Sequence, residues 1–434
     1  MFPLIDSPLK KILFCLISTC SVVLTSHNFL TQQAFSADSL VTFEQATKNG
    51  LQQAWFAQAR VDAAQNRVSR WTLSKDEIFA LTTSSTIHSM NAETGKTLWI
   101  AQVGNPDYPS VGPAANSNRV AILNSSNLYM LDRKDGHVLW SRAVGGAAGA
   151  APALSETFAY VALINGRVEG YPLDAPQGDT WQYQSVGRIF HSPTATGQHV
   201  AWPTASGYLY VGNADEARVF FRIETNEEII AAPAEWGSLF YVASLDGYLY
   251  CYDGSTGGQL WRYSTGMPII SKPVVIDNIA FVASEMPALH AVDATTGDRL
   301  WAVDGAVQFV AHAAQHIYAA DRHGNLLIIE KETGGIAGQI NTGDGVYPIL
   351  NDQSDRIFLV SDSGLVQCLH EIGADQPTFY RKTIVEEEAE KDAEQKADTG
   401  TPSEADDNPF VKEETPADDS PFGDAAVEDD NPFE

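Results

Sequence analysis

A segment of about 40 residues recurs eight times along this chain, and that period restricts the fold more than any other feature. Leu128-Tyr-Met-Leu-Asp132-Arg-Lys-Asp-Gly136-His-Val-Leu-Trp140 aligns with Leu249-Tyr-Cys-Tyr-Asp253-Gly-Ser-Thr-Gly257-Gly-Gln-Leu-Trp261. A third copy runs Leu289-His-Ala-Val-Asp293-Ala-Thr-Thr-Gly297-Asp-Arg-Leu-Trp301. The first residue of the motif returns at Ile87, Leu128, Val168, Leu209, Leu249, Leu289, Leu326 and Val366, with spacings of 41, 40, 41, 40, 40, 37 and 40.

Each copy reads as strand, tight turn, strand. Leu239-Phe-Tyr-Val-Ala-Ser meets the hairpin signal Asp246-Gly247, and Tyr248-Leu-Tyr-Cys-Tyr follows. A second turn carries the Asp and Gly of the motif, and then comes a strand with Trp. A small-residue strand such as Ala151-Pro152-Ala153 opens the next unit. Four antiparallel strands per repeat predict an all-β, eight-bladed β-propeller. Trp99, Trp140, Trp181, Trp261 and Trp301 each stand where a ring can fill the gap between blades. Gly95, Gly136, Gly257 and Gly297 supply positive φ in the second turn, and Asp132, Asp253 and Asp293 form Asx-type turn bonds there. Phe220 and Phe221 replace the Trp in the fourth blade. The seventh has only Ala337 and Gly338, so the weakest blade contact is expected there. The first and last blades are expected to use strands near residues 68–74 and 378–385.

Ala291-Val-Asp293-Ala-Thr-Thr296-Gly297-Asp-Arg-Leu-Trp301 resembles the tryptophan docking motif of the PQQ-like eight-bladed propeller family. The likeness covers roughly residues 64–385 and implies that fold. Quinoprotein dehydrogenases of that family hold their quinone beside an adjacent-cysteine disulfide and a calcium ion. Here no two cysteines are adjacent, Cys251 and Cys368 are far apart, and 37–41-residue repeats leave no room for long funnel loops. The resemblance is therefore closer to the family's non-enzymatic BamB-like branch and transfers no catalytic residue.

The ends read differently. Lys10 and Lys11 precede an apolar run from Ile12 to Leu24, and Ala34-Phe35-Ser36 offers small residues at a cleavage position. Residues 1–36 are thus expected to be a signal peptide, with a retained anchor or lipidation at Cys20 as alternatives. Residues 37–63 are expected to be a short helical segment, the helix being Leu51 to Arg60, packed on a propeller of residues 64–385. Residues 386–434 hold 19 acidic and 3 basic residues and are expected to be a disordered tail. That tail repeats Asp-Asp-[Asn/Ser]-Pro-Phe, ending at Phe410, Phe422 and Phe433, which are candidate docking anchors; a merely solubilising tail is the plainer alternative.

The net charge of −28 disfavours nucleic acid, although 16 of those charges sit in the tail. No phosphate loop or nucleophile elbow occurs. His312 and His316 have zinc-like spacing with His323 nearby, but they straddle a turn and read as surface or turn histidines. Tyr208, Tyr210, Tyr248 and Tyr250 read as packing residues, with carbohydrate stacking the alternative. No metal or cofactor is expected. The function expected is a monomeric, non-enzymatic protein-interaction scaffold of the periplasm or cell envelope, possible in outer-membrane protein assembly, with envelope proteins as partners and no membrane span in the mature chain. The alternative is an enzyme or sensor holding a quinone or other small ligand in the axial channel.

Overall fold

The computed structural model describes residues 40–62 and 64–380. The expected signal segment, Cys15, Cys20 and the tail with Phe410, Phe422 and Phe433 lie outside them. The described chain is an eight-bladed propeller of four-stranded antiparallel sheets. Blade one takes Val68–Ser74, Glu77–Thr82, Thr86–Asn91 and Thr97–Gln102 in order, and the next six blades repeat that simple order. First strands of neighbouring blades touch one another, so they line the axis and the fourth strands form the rim.

All eight repeat anchors fall on third strands and are fully buried. Sandwiched between neighbouring blades, second and third strands are covered on both faces, which is why they read as continuous apolar runs. Each buried anchor contributes about 2 kcal/mol of apolar burial. Among the described residues no helix is long and apolar enough to cross a membrane.

The Trp positions lock each blade to the next. Trp99 lies against Gly136, Phe221 against Gly257, Trp261 against Gly297 and Trp301 against Gly334. A Cβ at Gly297 would sit 2.7 Å from the Trp261 ring, and its φ of +79° is one that side chains resist. In blade four Ala217 takes the equivalent positive φ, and it shares a buried cluster with Trp181. Trp99 Nε1 donates to the Arg133 carbonyl at 2.7 Å, and Trp301 Nε1 to that of Lys331 at 2.7 Å. Just before each of these Trp residues the fourth strand bulges, between partners Ser89 and Met90, Met130 and Leu131, Cys251 and Tyr252, or Ala291 and Val292. The extra residue is the Leu of each Leu-Trp pair, and it faces solvent at Leu98, Leu139, Leu260 and Leu300.

Leu51 to Arg60, expected as a helix, is a strand. β1 (Leu51–Gln58) pairs antiparallel with Leu365–Glu371 and supplies the fourth strand of blade eight. It carries an unforeseen docking tryptophan, since Trp55 opposes Cys368 as Trp261 opposes Cys251 and lies against Gly95 of blade one. Of the strand expected near 378–385, only residues 378–380 are described; Phe379 makes an isolated bridge with Ser354, and the fourth strand of blade eight is β1 instead. The helix of this region is instead α1 (Phe43–Lys48), closed at its start by a capping box from Thr42 and Gln45.

The fourth strand of blade seven brings no docking ring to the junction with blade eight, and the N-terminal segment fills that place. Leu40, Val41, Ala46 and Leu51 share one buried cluster with Val310, Ile328, Ile340 and Leu369. Gln367 Nε2 donates to the Val41 carbonyl at 2.8 Å, which holds the segment along the blade. The site expected to be the loosest is therefore plugged.

Cys251 and Cys368 are both fully buried and unpaired, at equivalent positions of the fifth and eighth blades. Burial pushes the Cys251 thiol up to about 12 and the Cys368 thiol higher still. Native protein should therefore resist a thiol reagent, whereas denatured protein without Cys15 and Cys20 should titrate two thiols. A mass-spectrometric bridge between Cys251 and Cys368 would contradict the blade register.

Candidate functional site

Antiparallel order gives the propeller two unlike faces. Turns joining first to second and third to fourth strands lie on one, here the turn face. The other, the loop face, carries the second-to-third turns and the loops that lead into each new blade. On the loop face, the loops entering blades four, five and six share one pattern: Ile189-Phe190-His191-Ser192-Pro193, Ile229-Ile230-Ala231-Ala232-Pro233 and Ile269-Ile270-Ser271-Lys272-Pro273.

The first Ile of each loop is fully buried and pins it to the core. The next residue points outward, with Phe190 exposed at 42% and Ile270 at 48%, and Ile230 half-buried. A backbone bond fixes each loop to its own blade: Ala205 N donates to Arg188 O, Leu245 N to Glu228 O, and Glu285 N to Pro268 O, all within 3.0 Å. The small-residue loop entering blade three is held likewise, by Ile164 N on Ala147 O. Tyr210 accepts from Val186 N at 2.9 Å, steadying the start of the loop into blade four. Val186, Met267 and Met286 add exposed apolar surface beside these residues. The result is a preformed apolar arc around part of the axial mouth, rimmed by Glu227, Glu228, Asp246 and Glu285, with Arg188 its exposed cation. Asp246 accepts from the Tyr250 hydroxyl at 2.7 Å, and burial, with this bond added, pushes the Tyr250 phenol well above its usual range. Burial holds His191 below the usual imidazole value, against the pull of Glu228.

The residues singled out from sequence take other places. Asp253 Oδ1 accepts from Ser255 N and Thr256 N at 3.0 and 2.8 Å, and Asp293 Oδ1 from Thr295 N and Thr296 N at 2.8 and 2.9 Å. These turn bonds, led by the Ser255 hydroxyl, hold Asp253 down at about 2. His312, His316 and His323 do not converge: His312 meets Tyr380, His316 pairs with Glu371 at 2.9 Å, and His323 neighbours Asp321. Asp132, Asp135 and His137 do bring ligand atoms within 4.8 Å of one another, on an exposed turn of blade two. There the Asp132 carboxylate already accepts from Lys134 N, and His137 bonds to Asp135. Tyr208 and Tyr248 lie beneath Arg222 and Arg262, at 4.4 and 4.6 Å, while Tyr210 and Tyr250 are buried.

Near the first strands, polar side chains join different blades. Lys272 of blade six bonds Asp352 of blade eight at 3.1 Å. Glu235 accepts from the Thr196 hydroxyl and pairs with His199 at 2.9 Å. Thr196, Glu235, Lys272 and Asp352 line one pocket together with Pro233 and Val274.

Eight four-stranded blades, with tryptophan-on-glycine locks at Trp55, Trp99, Trp261 and Trp301, define a PQQ-like repeat propeller. The chain belongs to the family described as outer membrane protein assembly factor BamB, whose model matches residues 51–169, 83–227 and 222–347. Overlapping matches are what a near-constant repeat produces when it aligns in more than one frame. No curated protein matches the chain. The crystal structure of BamB from Moraxella catarrhalis is similar, with a TM-score of 0.60 at 19% identity over 74% of this chain and 97% of that one. The computationally designed Ika8 protein gives 0.58 at 14% identity, over 74% and 99%. At such identities these two structures share the fold.

Nothing in the repeat motif pointed to the arc. Its signal was nonetheless present as Ile-[Phe/Ile]-x-x-Pro at a strict spacing of 40, in segments that read as linkers between blades.

Proposed function

We propose that this chain is a non-enzymatic docking scaffold of the cell envelope, of the outer-membrane-assembly kind its family is named for, and that it holds a protein partner on the loop face of blades four to six. The observation that carries the reading is the apolar arc of Phe190, Ile230 and Ile270, displayed on loops already fixed by backbone bonds. Surfaces of this kind, apolar at the centre and polar at the rim, mark interaction sites, and a rigid one loses little entropy on binding. The acidic rim favours a partner with an apolar anchor flanked by Lys or Arg. Export by residues 1–36, a monomeric propeller, and a tail whose Phe410, Phe422 and Phe433 add weak anchors complete the proposal.

Photo-crosslinking in intact envelopes tests it. Benzoylphenylalanine placed at Phe190, Ile230 or Ile270 should give one adduct of defined mass. The same probe at Gln198 or Ser238 on the turn face should give none. Equal adducts from both faces, or none from the arc, would refute the assignment.

A further inference from the structure

The five methionines of the chain divide sharply by position. Met90 and Met130 are fully buried in the blades, and Met1 lies outside the described residues. Met267 and Met286 are 39% and 61% exposed, and both stand on the arc. They come from different segments, the loop entering blade six and the second-to-third turn of that blade. An antiparallel bridge pairs Ile269 with Ser284, and Glu285 N donates to Pro268 O at 2.8 Å. Continued outward by two residues, this register sets Met267 opposite Met286. Two further bonds fix their backbones: the Thr265 hydroxyl donates to Met267 O at 2.6 Å and the Ser284 hydroxyl to Met286 O at 2.7 Å. The remaining described sulfurs, Cys251 and Cys368, are buried. Accessible sulfur among the described residues is therefore confined to one pair, on the surface assigned to the partner.

We propose that Met267 and Met286 form a paired sulfoxidation site through which hydroperoxides weaken docking on the loop face; the effect on docking rests on the function proposed above. The sulfur lone pair attacks the terminal oxygen of the peroxide. The O–O bond breaks, an S–O bond forms, and the leaving oxygen takes the proton to depart as water from hydrogen peroxide or as the alcohol from an alkyl hydroperoxide. Sulfur loses two electrons and the peroxide gains them. Each event replaces a soft apolar contact with a polar, hydrated sulfoxide, and methionine sulfoxide reductases reverse it.

The test treats the full folded chain with graded hydrogen peroxide and maps the gain of about 16 Da per oxygen by peptide mass spectrometry. Met267 and Met286 should oxidise at least about tenfold faster than Met90 and Met130, and reductase should restore both. Equal rates at all four, or only one of the pair reacting, would overturn the site. Adduct yield from benzoylphenylalanine at Ile270 should then fall about fivefold or more on oxidation and recover with reductase. In the double variant Met267→Leu/Met286→Leu the yield should survive peroxide. An unchanged yield in the native chain, or an equal loss in the Leu variant, would overturn the regulatory role. If no adduct forms before oxidation, the docking assignment and its regulation fall together, while the oxidation rates still decide the paired site.

Discussion

A chain that begins at Ala59 should fail to give a soluble, cooperatively melting ring. Its missing segment does three separate jobs. β1 occupies the outer edge of Leu365–Glu371, so without it the last blade has three strands and an open edge. Trp55 donates through Nε1 to the Ala92 carbonyl at 3.0 Å and covers Gly95, which ties blade eight to blade one. Leu40, Val41 and Ala46 fill the seventh junction, the place without a docking ring. Trp55→Ala alone should cost about 3–5 kcal/mol, as large core deletions do. Losing all three contributions should leave aggregated protein or a broad transition by circular dichroism. A truncated chain melting within a few degrees of the full one would show that the ring closes by other means.

How far the sequence reveals this ring depends on where a residue stands in its blade. The eight anchors from Ile87 to Val366 were legible because each occupies a buried slot that tolerates only apolar side chains, at a period imposed by blade stacking. Trp55 was not, because it precedes its partner strand by some 310 residues and has no repeat of its own upstream. Its neighbourhood also imitates a helix. Leu51, Trp55 and Ala59 are buried at intervals of four, since a bulge between Gln53 and Trp55 turns Leu51 towards blade seven and Trp55 towards blade one. A strand whose facing switches partway loses the two-residue alternation by which strands are recognised. The apolar arc was missed for another reason: Phe190, Ile230 and Ile270 look like core residues until the blade order shows that they lie above the buried Ile beside them.

The C-terminal end of the described chain supplies the other large effect. After Leu365–Glu371 it crosses the turn face, and Arg356, itself fully buried, holds it there. One guanidinium nitrogen donates to the Ala374 carbonyl at 2.8 Å and the other to that of Asp375 at 3.0 Å. The same group pairs with buried Asp355 at 3.3 Å and reaches Glu93 of blade one at 3.5 Å. Asp355 extends the grip by accepting from Thr378 N at 3.1 Å, and Tyr380 ends the strap against the His312 carbonyl of blade seven. Arg356→Met keeps most of the volume but strands a buried carboxylate and two carbonyls, so a loss of about 3–5 kcal/mol is expected. For a domain of this size that is a fall in Tm of roughly 4–7 °C. Arg356→Met/Asp355→Asn should recover part of the loss, because the orphaned charge goes too. Hydrogen exchange supplies the decisive readout: the Thr378 and Tyr380 amides should lose protection in Arg356→Met while amides of blades three to five keep theirs. Protected strap amides with an unchanged Tm would mean that the backbone bonds between Gln353 and Tyr380 and between Asp355 and Thr378 hold this end without the arginine.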